Sequence, residues 1–139
     1  MKFMMIMMPK GYEQAAPGTM PDAKAVEATM KYNEALQKAG VLLALDGLHP
    51  PSMGARVSFA SGKPLVTDGP FTETKEVIGG YWLIEVGSKE EAIQWAMRCP
   101  GGVNETIEIR QVQELADFPP DVQKVATKYP EMQPGRAQK

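Results

Sequence analysis

Cysteine and histidine are almost missing from this chain. Its 139 residues hold one of each, Cys99 and His49. A single cysteine excludes an internal disulfide and fits a reducing compartment. Near the end of an amphipathic helix, Cys99 reads as a packing residue, the common state of a free thiol. No set of His or Cys stands at metal-ligand spacing, so no metal site is expected. Phosphate loops and dinucleotide fingerprints are absent too, so no cofactor is expected. Neither sign of charge is in excess, with 15 basic against 17 acidic residues and a net charge of −2. No basic stripe is present, which sets nucleic acid aside as a partner. Long apolar runs are also missing. The opening "MKFMMIMMPK" has one lysine and six apolar residues before Pro9, with no small-residue cleavage site after them. That is a first strand rather than a signal segment, and it is far short of the roughly 18 residues of a membrane helix. A cytoplasmic protein without membrane association is expected.

What is present fits one globular domain. The apolar share is 43% and the charged share 23%, on a chain long enough to bury a core. "KFMMIMM" is apolar on both alternating faces, with Phe3, Met5 and Met7 on one and Met4, Ile6 and Met8 on the other. Such a strand is expected at the centre of a sheet. "PKGYEQAAPGTMP", with three prolines and two glycines, is a loop of unusual length, and such loops tend to be functional or mobile. Residues 22–39 read as a helix, capped by Asp22 alone or in a box with Thr19, and stopped by Gly40. Ala25, Ala28, Tyr32, Leu36 and Ala39 share its inner face, while Glu27–Lys31 and Glu34–Lys38 are surface pairs in the favourable order.

"VLLALDGLHPP" begins as a buried strand, and "ARVSFASGKPLVT" is a hairpin turning at Ser61-Gly62. "GGYWLIEV" is a second strand that is apolar on both faces. "SKEEAIQWAMRCPGG" is a helix opened by a Ser88–Glu91 capping box, and "ETIEIRQVQEL" is the last strand. The order β-α-β-(hairpin)-β-α-β predicts an α+β, ferredoxin-like sandwich with an inserted hairpin over residues 1–115. Residues 116–139 are expected to form a short helix near 119–128 and a flexible tail. Helices cover only one face of such a sheet. The apolar second face of the two central strands predicts a homodimer packed sheet to sheet.

"VTDGPFTETKEVIGGYW", residues 66–82, admits two readings. In the first it is a tight turn: Asp68 bonds its own backbone, Gly69 is held extended by Pro70 (a bond open to either isomer), and Phe71 anchors the turn to the core. In the second it is the wall of a site, because a carboxylate at the edge of an apolar cleft serves as general acid or base. Gly79-Gly80 then marks close approach by a ligand or by another backbone.

The run "VTDGPFTETKEVIGGYWLIEV" resembles the signature of DGPF-type members of the YCII-related domain family. The similarity extends to the Met-rich first strand, "GVLLALDGLHP", the hairpin, "SKEEAIQWAMRCP" and "IEIRQV", and covers roughly residues 1–115. The resemblance implies a dimeric α+β barrel of ferredoxin-like subunits in the bacterial cytoplasm. It also implies a His–Asp pair in a cleft. Asp68 is the acid that carries over. No histidine follows the first strand, where the family's is expected, so His49 in "GLHPP" is the available proton partner.

Two functional readings stand side by side. In one, the chain is a cofactor-free enzyme acting on a small-molecule ligand. Asp68 is then the general acid or base and His49 its partner, Glu73, Lys75 and Glu76 shape the entrance, and Tyr81 and Trp82 line an apolar pocket. In the other, the chain is a non-catalytic binding or regulatory module. The family's frequent neighbourhood with extracytoplasmic-function sigma factors makes a sigma factor the partner, contacted through loop 9–21 and the C-terminal tail.

Overall fold

The computed structural model describes residues 1–71 and 76–132. Six strands and three α-helices follow one another: β1 Lys2–Pro9, α1 Ala23–Lys38, β2 Leu42–Gly47, β3 Ala55–Ser58, β4 Leu65–Asp68, β5 Gly80–Glu85, α2 Lys89–Met97, β6 Glu105–Gln111 and α3 Pro120–Ala126. Four strands form one antiparallel sheet in the order β2-β5-β1-β6. This is the ferredoxin-like arrangement expected from the sequence, with β3–β4 as a separate two-stranded hairpin.

β1 and β5 are central, as their two-sided apolar pattern predicts. On the helix side, Phe3 and Met5 of β1 meet Trp82 and Ile84 of β5, and all four are buried. Tyr32 and Leu36 from α1 and Ala92 from α2 close that core. Met4, Ile6, Met8 and Leu83 alternate with these residues onto the opposite face and are half-buried. β2 departs from the expected buried strand. It lies at the sheet edge, and a register irregularity between Leu42 and Ala44 leaves Leu43 47% exposed. A bulge inserts an unpaired residue and turns its side chain away from the core.

Helix signals in the sequence act where they stand. The Asp22 side chain accepts from the Ala25 N–H at 2.7 Å, so Asp22 is the N-cap of α1, and Gly40 takes φ +75° beyond its end. Ser88 caps α2 by accepting from the Glu91 N–H. The Glu91 carboxylate reaches back to the Gly87 N–H at 2.8 Å, one residue before the partner an ordinary capping box would use. Both expected surface pairs of α1 form, Lys31–Glu27 and Lys38–Glu34. Among the described residues no helix is long and apolar enough to cross a membrane. The end of the C-terminal tail, residues 133–139, lies outside the described residues.

Candidate functional site

A hollow forms at one end of the sheet, and its cause is side-chain size. Across three strands, Met7, Gly80 and Gly47 stand in register, so two of three neighbouring positions have no side chain. Above them, the first turns of α1 carry small residues, Ala25, Ala28 and Thr29. Further along, Tyr32 and Leu36 fill the same gap between helix and sheet. The result is a cleft of about 530 Å³, floored by Met7, Leu45 and Trp82 and walled by α1 from Ala25 to Asn33. That volume lies within the usual range of small-molecule sites, about 300–1,000 Å³.

The long loop after β1 supplies another wall through Pro9, Tyr12, Thr19, Met20 and Pro21. Its order comes from contacts with residues 48–53. The Tyr12 hydroxyl donates to the Leu48 carbonyl at 2.6 Å, and the Ser52 hydroxyl donates to the Ala15 carbonyl at 2.9 Å. The Gly18 N–H points to Met53 Sδ at 3.2 Å. Burial raises the Tyr12 phenol above its ordinary pKa.

Polar groups at the cleft are few. The Trp82 indole N–H donates to Asn33 Oδ1 at 2.7 Å, and both residues are buried. The Tyr32 ring stands edge-on to Trp82, with centroids 5.5 Å apart at 89°, and its hydroxyl donates to the Trp95 carbonyl at 2.7 Å. Glu105 is an exposed carboxylate on the lining. Asp46 and Tyr81 meet the cleft along their strands, but they stand in register with Ile6, so their side chains alternate onto the opposite face, where the Tyr81 hydroxyl donates to Asp46 Oδ2 at 2.7 Å. That bond, ahead of burial and the carboxylate's charge, holds the Tyr81 phenol above its ordinary pKa. Cys99 also lines the cleft. Burial first, and the charge of Glu105 second, push its thiol from an ordinary 9.0 to about 11. A neutral, half-buried thiol fits the packing role expected for it. Among the described residues no three of His, Cys, Asp and Glu gather as metal ligands would.

Of the residues singled out in the sequence, Trp82 lines this cleft with its side chain, and Tyr81 meets it along the strand while its side chain lies on the opposite face. Asp68 ends β4 opposite Ala55 and is exposed, and His49 is exposed beyond β2; neither is on the lining. Glu76 is exposed and also off the lining, while Glu73 and Lys75 lie outside the described residues. The chain does bring the segments after β2 and β4 together. The Gly69 N–H donates to the Gly54 carbonyl at 2.9 Å, and a Cβ on Gly69 would stand 1.7 Å from the Pro51 carbonyl oxygen. Only glycine fits there, and the Gly69–Pro70 bond is cis. Phe71 is half-buried, with the Arg56 guanidinium 3.9 Å over its ring, so it ties the turn to the hairpin. The Gly79-Gly80 pair marks close approach by the chain itself. A Cβ on Gly80 would be 2.9 Å from the Asp46 carbonyl oxygen, and one on Gly79 would be 2.8 Å from the Pro9 ring.

Sequence reasoning missed Asn33, Asp46 and Glu105. Periodicity weights apolar positions, so a polar residue beside Tyr32 carries no signal that it is buried. Asp46 and Glu105 read as ordinary strand-end residues until the topology places both strand ends at one cleft.

The model of the YCII-related domain matches residues 1–116. An uncharacterized protein of Rhizobium meliloti (strain 1021) is 36% identical over 101 residues, covering 73% of this chain and 76% of that protein. The match over residues 1–116 places the chain in the YCII-related domain family.

Proposed function

We propose that this chain binds a small, largely apolar molecule in the cleft between α1 and the sheet and acts on it without a cofactor. The observation that carries the reading is the cleft itself, a hollow of about 530 Å³ with an apolar floor and the Glu105 carboxylate on its lining. We assign the chain to the DGPF type of its family, on the run Asp68-Gly69-Pro70-Phe71 that follows β4. In this reading Asp68 is the general acid or base and His49 its proton partner. The resemblance alone supports those two roles, because neither residue is on the cleft lining; the cleft geometry supports only the binding of the ligand. A thermal-shift screen with neutral aromatic and aliphatic metabolites tests the binding, since a ligand of the native state raises the melting temperature. Hits are expected among uncharged compounds, and a screen in which nothing shifts the transition would overturn the proposal. Asp68→Asn is expected to abolish turnover of a hit while leaving its binding; unchanged turnover would remove Asp68 from the mechanism.

A second reading, compatible with the first, concerns assembly. Met4, Ile6, Met8 and Leu83 stand on the sheet face away from the helices. We propose that a second copy covers them, sheet against sheet about a two-fold axis, giving a dimeric α+β barrel. Light scattering at micromolar concentration is expected to give twice the 15.2 kDa chain mass, and a clean monomer would sink the idea.

A further inference from the structure

The hydrogen bond between Trp82 and Asn33 fixes more than the indole. An indole N–H can only donate, so the Asn33 atom that faces it is the oxygen. The carboxamide orientation is therefore set by chemistry, and the amide nitrogen is turned away from Trp82. That nitrogen carries two donors. Its one partner among the described residues is Met30 Sδ at 3.7 Å, a weak acceptor at long range. Asn33 is 9% exposed, and Asn33, Met30 and Trp82 all line the cleft. A buried amide with so little to bond is a donor awaiting an acceptor.

The charge around the cleft narrows the acceptor. Among the described lining residues there is no lysine, arginine or histidine, while Glu105 presents a carboxylate. An anion would enter against that carboxylate with no cation among the described lining residues to meet it. A neutral carbonyl needs only the amide.

We propose that Asn33 Nδ2 is the recognition donor of this cleft, binding the carbonyl oxygen of an uncharged, aromatic-sized ligand packed against Trp82 and Met7. The inference rests on the reading of the cleft as a ligand site and names the ligand class it takes. Trp82 is held by Asn33 on its nitrogen and by the perpendicular Tyr32 ring beside it, so the donor is set before the ligand arrives.

The test compares three probes of one size on the wild-type protein: 2-acetylnaphthalene, 2-isopropenylnaphthalene, which replaces the carbonyl oxygen by a methylene, and 2-naphthoate. Binding is followed by ¹⁵N NMR at the Asn33 side-chain amide and the Trp82 indole. The ketone is expected to bind about tenfold more tightly than the alkene, as one satisfied buried donor allows. It should shift the Asn33 amide signals, and the naphthoate should bind weakest. Asn33→Asp keeps an acceptor for the indole and removes both donors; it is expected to erase the preference for the ketone while the indole signal stays in place. Equal binding of ketone and alkene would overturn the role of Asn33 and leave the cleft a ligand site. Tighter binding of the naphthoate would overturn the ligand class. If no probe perturbs either signal, the cleft reading falls, and the assignment of Asn33 with it. Should the aspartate variant fail to fold, the comparison of probes on the wild type still decides.

Discussion

The four-stranded sheet and the β3–β4 hairpin obey the same alternation rule and end in opposite states. In the sheet, Phe3, Met5 and Ile84 are at most 1% exposed. In the hairpin all eight strand residues are exposed, including Val57 at 52% and Val66 at 65%, although these two valines face each other in register. The sheet has two helices to pack against; the hairpin has none of the four-stranded sheet as a strand neighbour. A two-stranded ribbon alone is marginal in water. Its order comes from its ends, through the Gly69–Gly54 hydrogen bond and the Arg56–Phe71 stacking. Alternation therefore selects a strand, and burial depends on what the topology brings to cover it.

The sharpest break of this contrast is Phe3→Ala. Removing a fully buried ring from the central strand is expected to destabilise the whole domain by about 3–5 kcal/mol, read by urea unfolding. A loss under about 1 kcal/mol would mean that the sheet core is not the main source of stability. Gly69→Ala comes next. Its new methyl group must displace the Pro51 backbone, and overpacking of this kind costs about 1–3 kcal/mol. Hydrogen exchange should accelerate at Gly69 and through the hairpin while β1 and β5 stay protected; uniform acceleration would show that the hairpin and sheet unfold as one unit. The smallest effect is expected from Val57→Thr, within about 0.5 kcal/mol for an exposed site. A loss of 2 kcal/mol or more would mean that something covers the hairpin in solution, and its dependence on protein concentration would identify a second copy.

Much of the fold was legible before any coordinates. Two-sided apolar runs marked β1 and β5 as central, Asp22 and Ser88 marked helix starts, and Ser61-Gly62 marked the hairpin turn. The β2 bulge was not legible, because a continuous apolar run does not say which leucine will be turned outward. The site was legible only in part. Trp82 came from a strand that had to cross the core, and so could be expected at a cavity, while the neighbouring Tyr81 turns its side chain to the other face. The turn and site readings of residues 66–82 separate at Gly69: the neighbour that excludes a side chain is the Pro51 backbone, which accounts for that glycine by chain packing.

By itself, the sequence determined the order of elements, their caps and the faces they would bury, because propensity, capping and periodicity act over a few neighbouring residues. Only the tertiary structure decided where the hollow lies. It required small residues from three distant segments, Ala25 and Ala28 on α1, Gly47 on β2 and Gly80 on β5, to meet at one end of the sheet. It also turned Asn33, an unremarked polar residue of a helix, into a buried donor beside Trp82. A cavity is a failure of distant side chains to fill shared space, and no local pattern records which side chains will share it.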